Sequence, residues 1–338
     1  MIRTSRVRIR AGLCCLLLLF FSAASFGQQK PERSLLRIGY IPIAECLPLY
    51  VAVEKGFFDK YGIEVELVAF GGGAKILDEI EAGNLDAGIS NMVSFVRSLV
   101  RGEELYSVFG ATYETECHQE HALLVNTDII KRADDLRGVT VAVNSFRNID
   151  ELMVRMYLDG TGLRWDEVNV IEVGFPDMAS MLQDGRTAMA SIVEPYTTLA
   201  LQDECGRVEK IANHYLGFSA STLVTTYVSS GKAIREKTDV LRGFVQAMRQ
   251  ATSYISAHDG EVRAFIGTYT SVPSELLDRI GLPEFGMEPR RMAINAHLQH
   301  MKRFGCIDSS AALPDTVVWS FGGVQPAAAA SDGTDECR

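Results

Sequence analysis

The sequence GYIPIAECLPLYVAVEKGFF, residues 39–58, decides the fold class of this chain. It begins at the end of an apolar run, Leu36–Tyr40, that predicts a buried strand. Prolines mark the turn that follows, and Leu49–Lys55 predicts a short helix that Gly56 ends. A strand, a turn and a helix in this order are the building unit of an α/β fold.

The alternation of strands and helices continues along the chain and predicts two lobes. Short apolar runs and segments with helical spacing follow one another to about residue 121, and the pattern restarts after it. The run Leu223–Val228 predicts a strand that returns to the first lobe, and the chain is helical from there. We therefore predict lobe 1 over residues 28–121 and 225–325 and lobe 2 over 122–224, with parallel-type mixed sheets. Two linking segments would form a hinge that closes on a ligand.

Residues 1–27 have the three parts of a secretory signal peptide. A basic stretch precedes an apolar stretch that runs to about Phe21, and small residues follow. We expect cleavage near Gly27-Gln28 and export to the periplasm. A lipoprotein anchor is the rival interpretation, but Cys14 and Cys15 lie at the front of the apolar stretch, where a lipidation cysteine is not found. At the other end, we expect residues 326–338 to be disordered.

Charge and cysteine content exclude several classes of protein. The formal net charge of −10 counts against nucleic acid and anionic lipid as partners, since both need a basic surface. Five cysteines follow the signal peptide: Cys46, Cys117, Cys205, Cys306 and Cys337. Their odd number and wide spacing give no zinc pattern. Disulfides and buried thiols both remain open.

A ligand site is predicted at the carboxyl ends of the strands, where open α/β sheets bind their ligands. Backbone N–H groups at the helix N-termini there can hold an acceptor group. The candidate ligand-binding residues are Pro42, Glu45, Gly72, Ser90, Asn91, Thr112, Tyr113, Asn144, Ser145, Phe146, Phe175, Glu194 and Tyr196. For the serines and asparagines, helix capping is an equally good explanation.

Aromatic and acidic side chains dominate these turns. Four of the candidates carry aromatic rings, which would suit a ring-bearing ligand. Glutamates outnumber the nearby cations, Lys75 and Arg147, so we favour a ligand that donates hydrogen bonds, such as an amine, an amidine or an aminopyrimidine. Glu194 is the best single polar contact, although an acid at a helix N-terminus is also favoured by the helix dipole.

Several motifs together resemble a known family. They are residues 39–58, Gly71–Gly73, Gly83–Gly88, Asp135–Gly138 and Glu194-Pro195. In order and spacing they are similar to periplasmic solute-binding proteins of ABC importers for sulfonate, nitrate or thiamine precursors. The resemblance implies a type II periplasmic-binding fold. It also implies a small-molecule ligand that is delivered to an ABC permease and its ATPase, with no catalytic residues, no cofactor and no nucleic acid. We expect a monomer.

Three alternatives remain open. A sulfonate- or nitrate-type anion binder fits the same family, and so does a ligand sensor for a membrane receptor. An enzyme like the thiamine-pyrimidine synthases would share the scaffold, but those enzymes carry a cysteine-rich motif that this chain lacks. His118 and His121 lie near Cys117, but they complete no familiar metal pattern, so we predict no metal site.

Overall fold

The opening unit forms as the sequence predicts. In the computed structural model, which describes residues 33–321, strand β1 (Ser34–Tyr40) leads through a 3₁₀ turn into helix α1 (Leu47–Glu54). Pro48 lies in the first turn of α1, where its missing N–H costs nothing. Leu36 and Ile38 of β1 are fully buried, so the unit is anchored in the core.

Within the described residues, ten further strands follow β1. They are β2 (Ile63–Ala69), β3 (Ala87–Asn91), β4 (Leu105–Thr115), β5 (His121–Asn126), β6 (Thr140–Val143), β7 (Asn169–Glu172), β8 (Met189–Val193), β9 (Val208–Ala212), β10 (Ser221–Ser230) and β11 (Glu284–Gly286). The remaining helices are α2 (Gly73–Ala82), α3 (Met92–Val100), α4 (Ile149–Gly160), α5 (Phe175–Gln183), α6 (Tyr196–Ala200), α7 (Gly231–Glu236), α8 (Thr238–Ala257), α9 (Asp259–Thr270) and α10 (Arg291–Arg303).

The strands form two mixed sheets. The first has the order β11-β4-β10-β3-β1-β2, with β1 parallel to β2 and β3, and β10 antiparallel to β3 and β4. The second has the order β7-β6-β8-β5-β9, with β6 parallel to β7 and β8, and β5 antiparallel to β8 and β9. The α/β fold with mixed sheets is therefore confirmed.

The chain passes between the sheets twice. It leaves the first sheet between β4 and β5 and returns between β9 and β10. The lobe boundaries at residues 121/122 and 224/225 stay a prediction. The signal peptide and the terminal tail lie outside the described residues.

Two features of the described residues complete the fold. Between residues 33 and 321, no helix has the length and apolar character needed to cross a bilayer. Cys46, Cys205 and Cys306 are free thiols, whereas Cys117 is disulfide-bonded. Burial raises the pKa of the Cys46 thiol to about 12, so this cysteine is an unreactive part of the core.

Candidate functional site

Strand-end loops of the two sheets meet and form a cleft. We use this term for the zone between the loops at 41–46 and 70–73 of the first sheet and 144–146 and 194–196 of the second. The amide of Ala44 donates to the carbonyl of Glu194 over 3.0 Å. The Tyr196 hydroxyl donates to the carbonyl of Pro42 over 3.0 Å. The described conformation is therefore closed.

A group of ionisable side chains is buried behind these loops. We call it the acid cluster; its members are Glu45, Glu114, Glu120, His121 and Asp150. Each is at most 3% exposed. Carboxylates are rarely buried so completely unless they are paired, so each partner has to be identified.

Glu114 is fully paired. Its carboxylate accepts hydrogen bonds from the backbone amides of Glu120 and His121, and from Asn213. His121 Nδ1 donates to Glu114 Oε2 over 2.9 Å. Burial alone would lower the pKa of His121, but the hydrogen bond and the charge of Glu114 outweigh it and raise that pKa. The contact with Glu114 therefore favours the protonated form of His121.

Asp150, at the start of α4, is also well supplied with donors. Its Oδ1 accepts from Ser191 Oγ at 2.7 Å and from the Tyr215 hydroxyl at 3.0 Å. Burial raises the pKa of Asp150, while His121 and these hydrogen bonds lower it in part. His214 donates to Ser191 over 2.8 Å. Burial keeps the pKa of His214 well below its ordinary value, so this ring is neutral.

Glu45 and Glu120 are different because they share one pocket with few donors. Glu45 accepts one hydrogen bond from Thr112 Oγ1 at 2.9 Å. Neither oxygen of Glu120 accepts a hydrogen bond from an N–H donor of the described residues, and His121 Nδ1 lies 3.8 Å from its Oε1. A hydrogen bond between the two carboxyls raises the pKa of Glu120 and lowers that of Glu45. Burial raises the pKa of both carboxyls, and the charge of Glu45 raises that of Glu120 well above its ordinary value. Without a cation, at least one of them holds a proton.

The arrangement suits a cation or a hydrogen-bond donor. Oxygens of Glu45 and Glu120 and a ring nitrogen of His121 lie within 4.8 Å of one another. Such a donor set could hold a metal ion. It could equally receive the N–H groups of an amine or amidine, since ionised carboxylates only accept hydrogen bonds.

Glu194, the best single contact predicted from the sequence, has protein partners for its carboxylate. It accepts from Thr198 N at 3.0 Å, from Thr198 Oγ1 at 2.8 Å and from Gly281 N at 3.2 Å. Burial raises its pKa, and the bonds from Thr198 and Gly281 offset part of that rise. In this conformation Glu194 supports the first turn of α6 and joins it to the segment after α9.

The other predicted residues divide into two groups. Tyr196 stacks on Phe175 with 6.5 Å between ring centroids, and both are buried at the cleft. Gly72 lies against Asn144 and Ser145 across the cleft. The Asn91 side chain caps α3 by accepting from Ser94 N. Ser90 is fully buried, and within residues 33–321 its hydroxyl has no hydrogen-bond partner.

Tyr113 and Phe146 lie away from the acid cluster. Thr112 and Glu114 of β4 face the cluster, whereas the Tyr113 ring packs beside Gly286 of β11. Phe146 is 43% exposed and lines a separate cavity, described below. Neither ring contacts the acid cluster in the closed conformation.

Sequence reasoning missed Glu120, His121 and Asp150 as site residues. Glu120 and His121 stand at the start of β5, directly after the first passage between the sheets. Asp150 is in the first turn of α4, where an acid is ordinary. One feature of the sequence could have identified them: several acidic residues lie close together where the chain first passes between the sheets. They include Glu114, Glu116 and Glu120.

Comparison with known proteins assigns the chain to a family. The model of the NMT1-like family matches residues 29–266, which is most of the chain. The chain belongs to the NMT1-like family. A putative thiamine biosynthesis protein of Haemophilus influenzae is 23% identical over 280 residues, which cover 80% of this chain and 86% of that protein.

A second relative and a solved structure point to transport proteins. The nitrate import ATP-binding protein NrtC of Synechocystis sp. is 26% identical over 210 residues, which cover 55% of this chain and 30% of NrtC. The chain spans 30% or less of the length of the first curated relatives that it matches. The alkanesulfonate-binding protein SsuA of Xanthomonas axonopodis pv. citri, bound to MOPS, has a TM-score of 0.72 at 16% identity, with 86% of this chain and 99% of SsuA covered. This likeness confirms the periplasmic-binding fold.

Proposed function

We propose that this protein is the solute-binding component of an ABC importer and that it captures a small polar organic ligand in the cleft. The ligand carries a protonated amine, an amidine or an aminopyrimidine-like ring. After capture, it is delivered to a membrane permease and its ATPase. The predicted signal peptide and the transport names of several relatives support a periplasmic location for this step.

The observation that carries the proposal is the buried pair of carboxyls Glu45 and Glu120 inside the acid cluster, to which the described residues supply one N–H or O–H donor, Thr112. A buried carboxylate without donors is costly, and the cost falls when a ligand supplies N–H groups. Glu45 would accept from the same ligand, and the stacked rings of Phe175 and Tyr196 would provide apolar surface at the edge of the cleft. These residues would bind and orient the ligand, and no step of chemistry is required.

An anion is the second candidate ligand. The names of SsuA and NrtC refer to a sulfonate and to nitrate, and both belong to transport systems. A bare anion would have to approach four buried carboxyl groups, with His121 as the cluster's own cation. The acid cluster therefore favours a hydrogen-bond donor over a nitrate or sulfonate group.

An enzyme is the third candidate because one relative is named for thiamine biosynthesis. The acid cluster could hold a metal ion, so a metal-dependent enzyme on this scaffold is a defined alternative. Release of a product from a bound ligand by the purified protein alone would favour this alternative over transport.

A thermal-shift panel tests the proposal. The mature protein is melted with amines, amidines, aminopyrimidines, alkanesulfonates, nitrate and divalent metals, each with and without EDTA. Because a ligand that binds only the folded state raises the unfolding midpoint, we expect a rise with an N–H-bearing compound that EDTA does not abolish. A rise with metals alone would support the metal-dependent alternative, and a rise with anions alone would contradict the ligand class.

A further inference from the structure

A second cavity lies outside the acid cluster. Its volume is about 550 Å³, and its walls come from helices and loops that pack on both sheets. Arg97 of α3 and the Gly305-Cys306 turn after α10 form one side. The loop after β6, the first turns of α4 and the segment that leads into β7 form the other. No member of the acid cluster lines this cavity.

Two arginines in the cavity lack partners. Within residues 33–321, neither the Arg97 nor the Arg147 side chain forms a hydrogen bond or an ion pair, and the Nε of Arg97 is buried without an acceptor. Burial lowers the pKa of Arg97, and the charge of Arg147 lowers it further, so the two guanidinium groups lie close enough to repel each other. Arg97 is partly buried, and such an arginine normally has a carboxylate partner, whereas Arg147 is exposed at the mouth of the cavity.

Arg155 shows the contrast within the same cavity. It pairs with Glu151 over 2.8 Å, and its guanidinium lies 4.1 Å from the centre of the Trp165 ring. The same Glu151 accepts from the backbone amide of Arg147 over 2.7 Å, so it fixes the loop rather than neutralising the Arg147 side chain. The cavity therefore keeps uncompensated positive charge from Arg97 and Arg147.

The backbone of Arg147 gives an independent indication of a functional role. Its φ is 60°, in the left-handed region that few non-glycine residues occupy. Such backbone strain is concentrated at binding and catalytic sites, where the surrounding structure maintains it. Here it places a cation beside Phe146, whose ring is 43% exposed at the cavity.

We infer that this cavity binds a small organic anion, whose carboxylate, sulfonate or phosphate group lies between Arg97 and Arg147 and whose apolar part contacts Phe146. Guanidinium groups bind oxyanions through paired, charge-assisted hydrogen bonds, so two unpaired ones form a natural receptor. This site is separate from the acid cluster, although Phe146 belongs to the 144–146 loop that also borders the cleft. Asp150 of α4 belongs to the acid cluster, while its neighbour Glu151 lines the cavity.

Calorimetric titration at low salt tests this inference, with phosphate, methanesulfonate, benzenesulfonate and benzoate as probes. The two probes without a ring, phosphate and methanesulfonate, measure the contribution of charge. The two aromatic probes, benzenesulfonate and benzoate, add contact with Phe146. We expect an aromatic anion to bind at least tenfold more tightly than methanesulfonate. The variants Arg97→Gln and Arg147→Asn should each weaken its binding at least tenfold. Asparagine is chosen at 147 because it tolerates the left-handed conformation.

Two controls keep the result interpretable. Arg186→Gln removes an exposed arginine that pairs with Asp184, and its binding should equal that of the wild type. Glu120→Gln alters the acid cluster, and it should leave anion binding unchanged even if the proposed cleft ligand is wrong. The inference is overturned if no probe binds, if both arginine variants bind normally with unchanged melting, or if Glu120→Gln alone removes anion binding.

Discussion

The carboxylate of Glu114 and the imidazole of His121 form a buried pair, with 2.9 Å between Oε2 and Nδ1. This pair joins the end of β4 in the first sheet to the first residue of β5 in the second. Because this pair and the donors around Asp150 satisfy the other members of the acid cluster, Glu45 and Glu120 are the carboxyls left with few donors. A ligand that supplies N–H donors would therefore stabilise these two carboxyls more than any other member of the acid cluster.

Replacement of Glu120 by glutamine should stabilise the free protein. Glu120→Gln replaces the carboxyl whose pKa is raised well above its ordinary value with an amide, which can donate to Glu45 without first taking up a proton. We expect the unfolding free energy at about pH 8 to rise on the order of 1 kcal/mol, measured by thermal or urea unfolding. Glu116→Gln, at an exposed position nearby, is the matched control and should change nothing. A loss of stability in Glu120→Gln alone would show that the carboxylate is satisfied in the free protein.

The pH dependence of stability should follow the same groups. The raised pKa values of Glu45, Glu120 and Asp150 mean that the folded state binds more protons than the unfolded chain. Their contribution is present at low pH and is lost as pH rises through the raised values. His121 acts in the same direction, since its pKa is also raised.

Melting curves from about pH 5 to about pH 8 check this sign. The wild type should lose more unfolding free energy over this range than Glu120→Gln does, because the variant has one titrating carboxyl fewer. Parallel curves for the two proteins would mean that Glu120 does not titrate differently in the folded and unfolded states.

Glu194 should prove more important for stability than for binding. Glu194→Ala removes the acceptor of three hydrogen bonds from Thr198 and Gly281. We expect a loss of about 1–3 kcal/mol in chemical denaturation, because buried donors are left without partners. Glu209→Ala on the exposed edge strand β9 is the control. If Glu194→Ala is stable but no longer binds ligand, Glu194 is a direct ligand contact, as the sequence predicted.

Two neighbouring glycines provide a matched packing test. A Cβ at Gly73 would lie 2.6 Å from Ser90 Oγ and 2.8 Å from Ser90 Cα, whereas a Cβ at Gly71 would meet nothing within 4 Å. Gly73→Ala should therefore cost about 1–3 kcal/mol in unfolding experiments, and Gly71→Ala should be close to neutral. Equal effects would show that the α2 N-terminus does not pack on β3 as described.

Much of the fold could be predicted from the sequence because its signals are local. The β1–α1 unit and the returning strand β10 follow from their apolar runs, and the prolines and Gly56 mark the turn and the end of α1. Strand β9 was missed, because Val208–Ala212 has three exposed central residues and lies at a sheet edge. This segment forms a strand because it pairs with β5, not because of an apolar pattern in its own sequence.

The site was harder to predict because it depends on distant residues. Glu45 lies in the 3₁₀ turn after β1 and Glu120 lies directly before β5, and no local pattern places them within one pocket. Irregular pairing between β4 and β10 decides which residues of β4 face inward. Alternation places Thr112 and Glu114 on one face of β4 and Tyr113 on the other, but it does not tell which face meets the acid cluster and which packs beside β11.

The most direct test of the account is calorimetric titration of wild-type and Glu120→Gln protein with the N–H-bearing compound that raises the melting point most. The account predicts tight binding to the wild type and a loss of at least about 1.4 kcal/mol, or tenfold, in the variant, despite its higher stability. Equal affinity in the two proteins would contradict it. So would a wild type that binds only nitrate or sulfonates, with affinity that Arg97→Gln leaves unchanged.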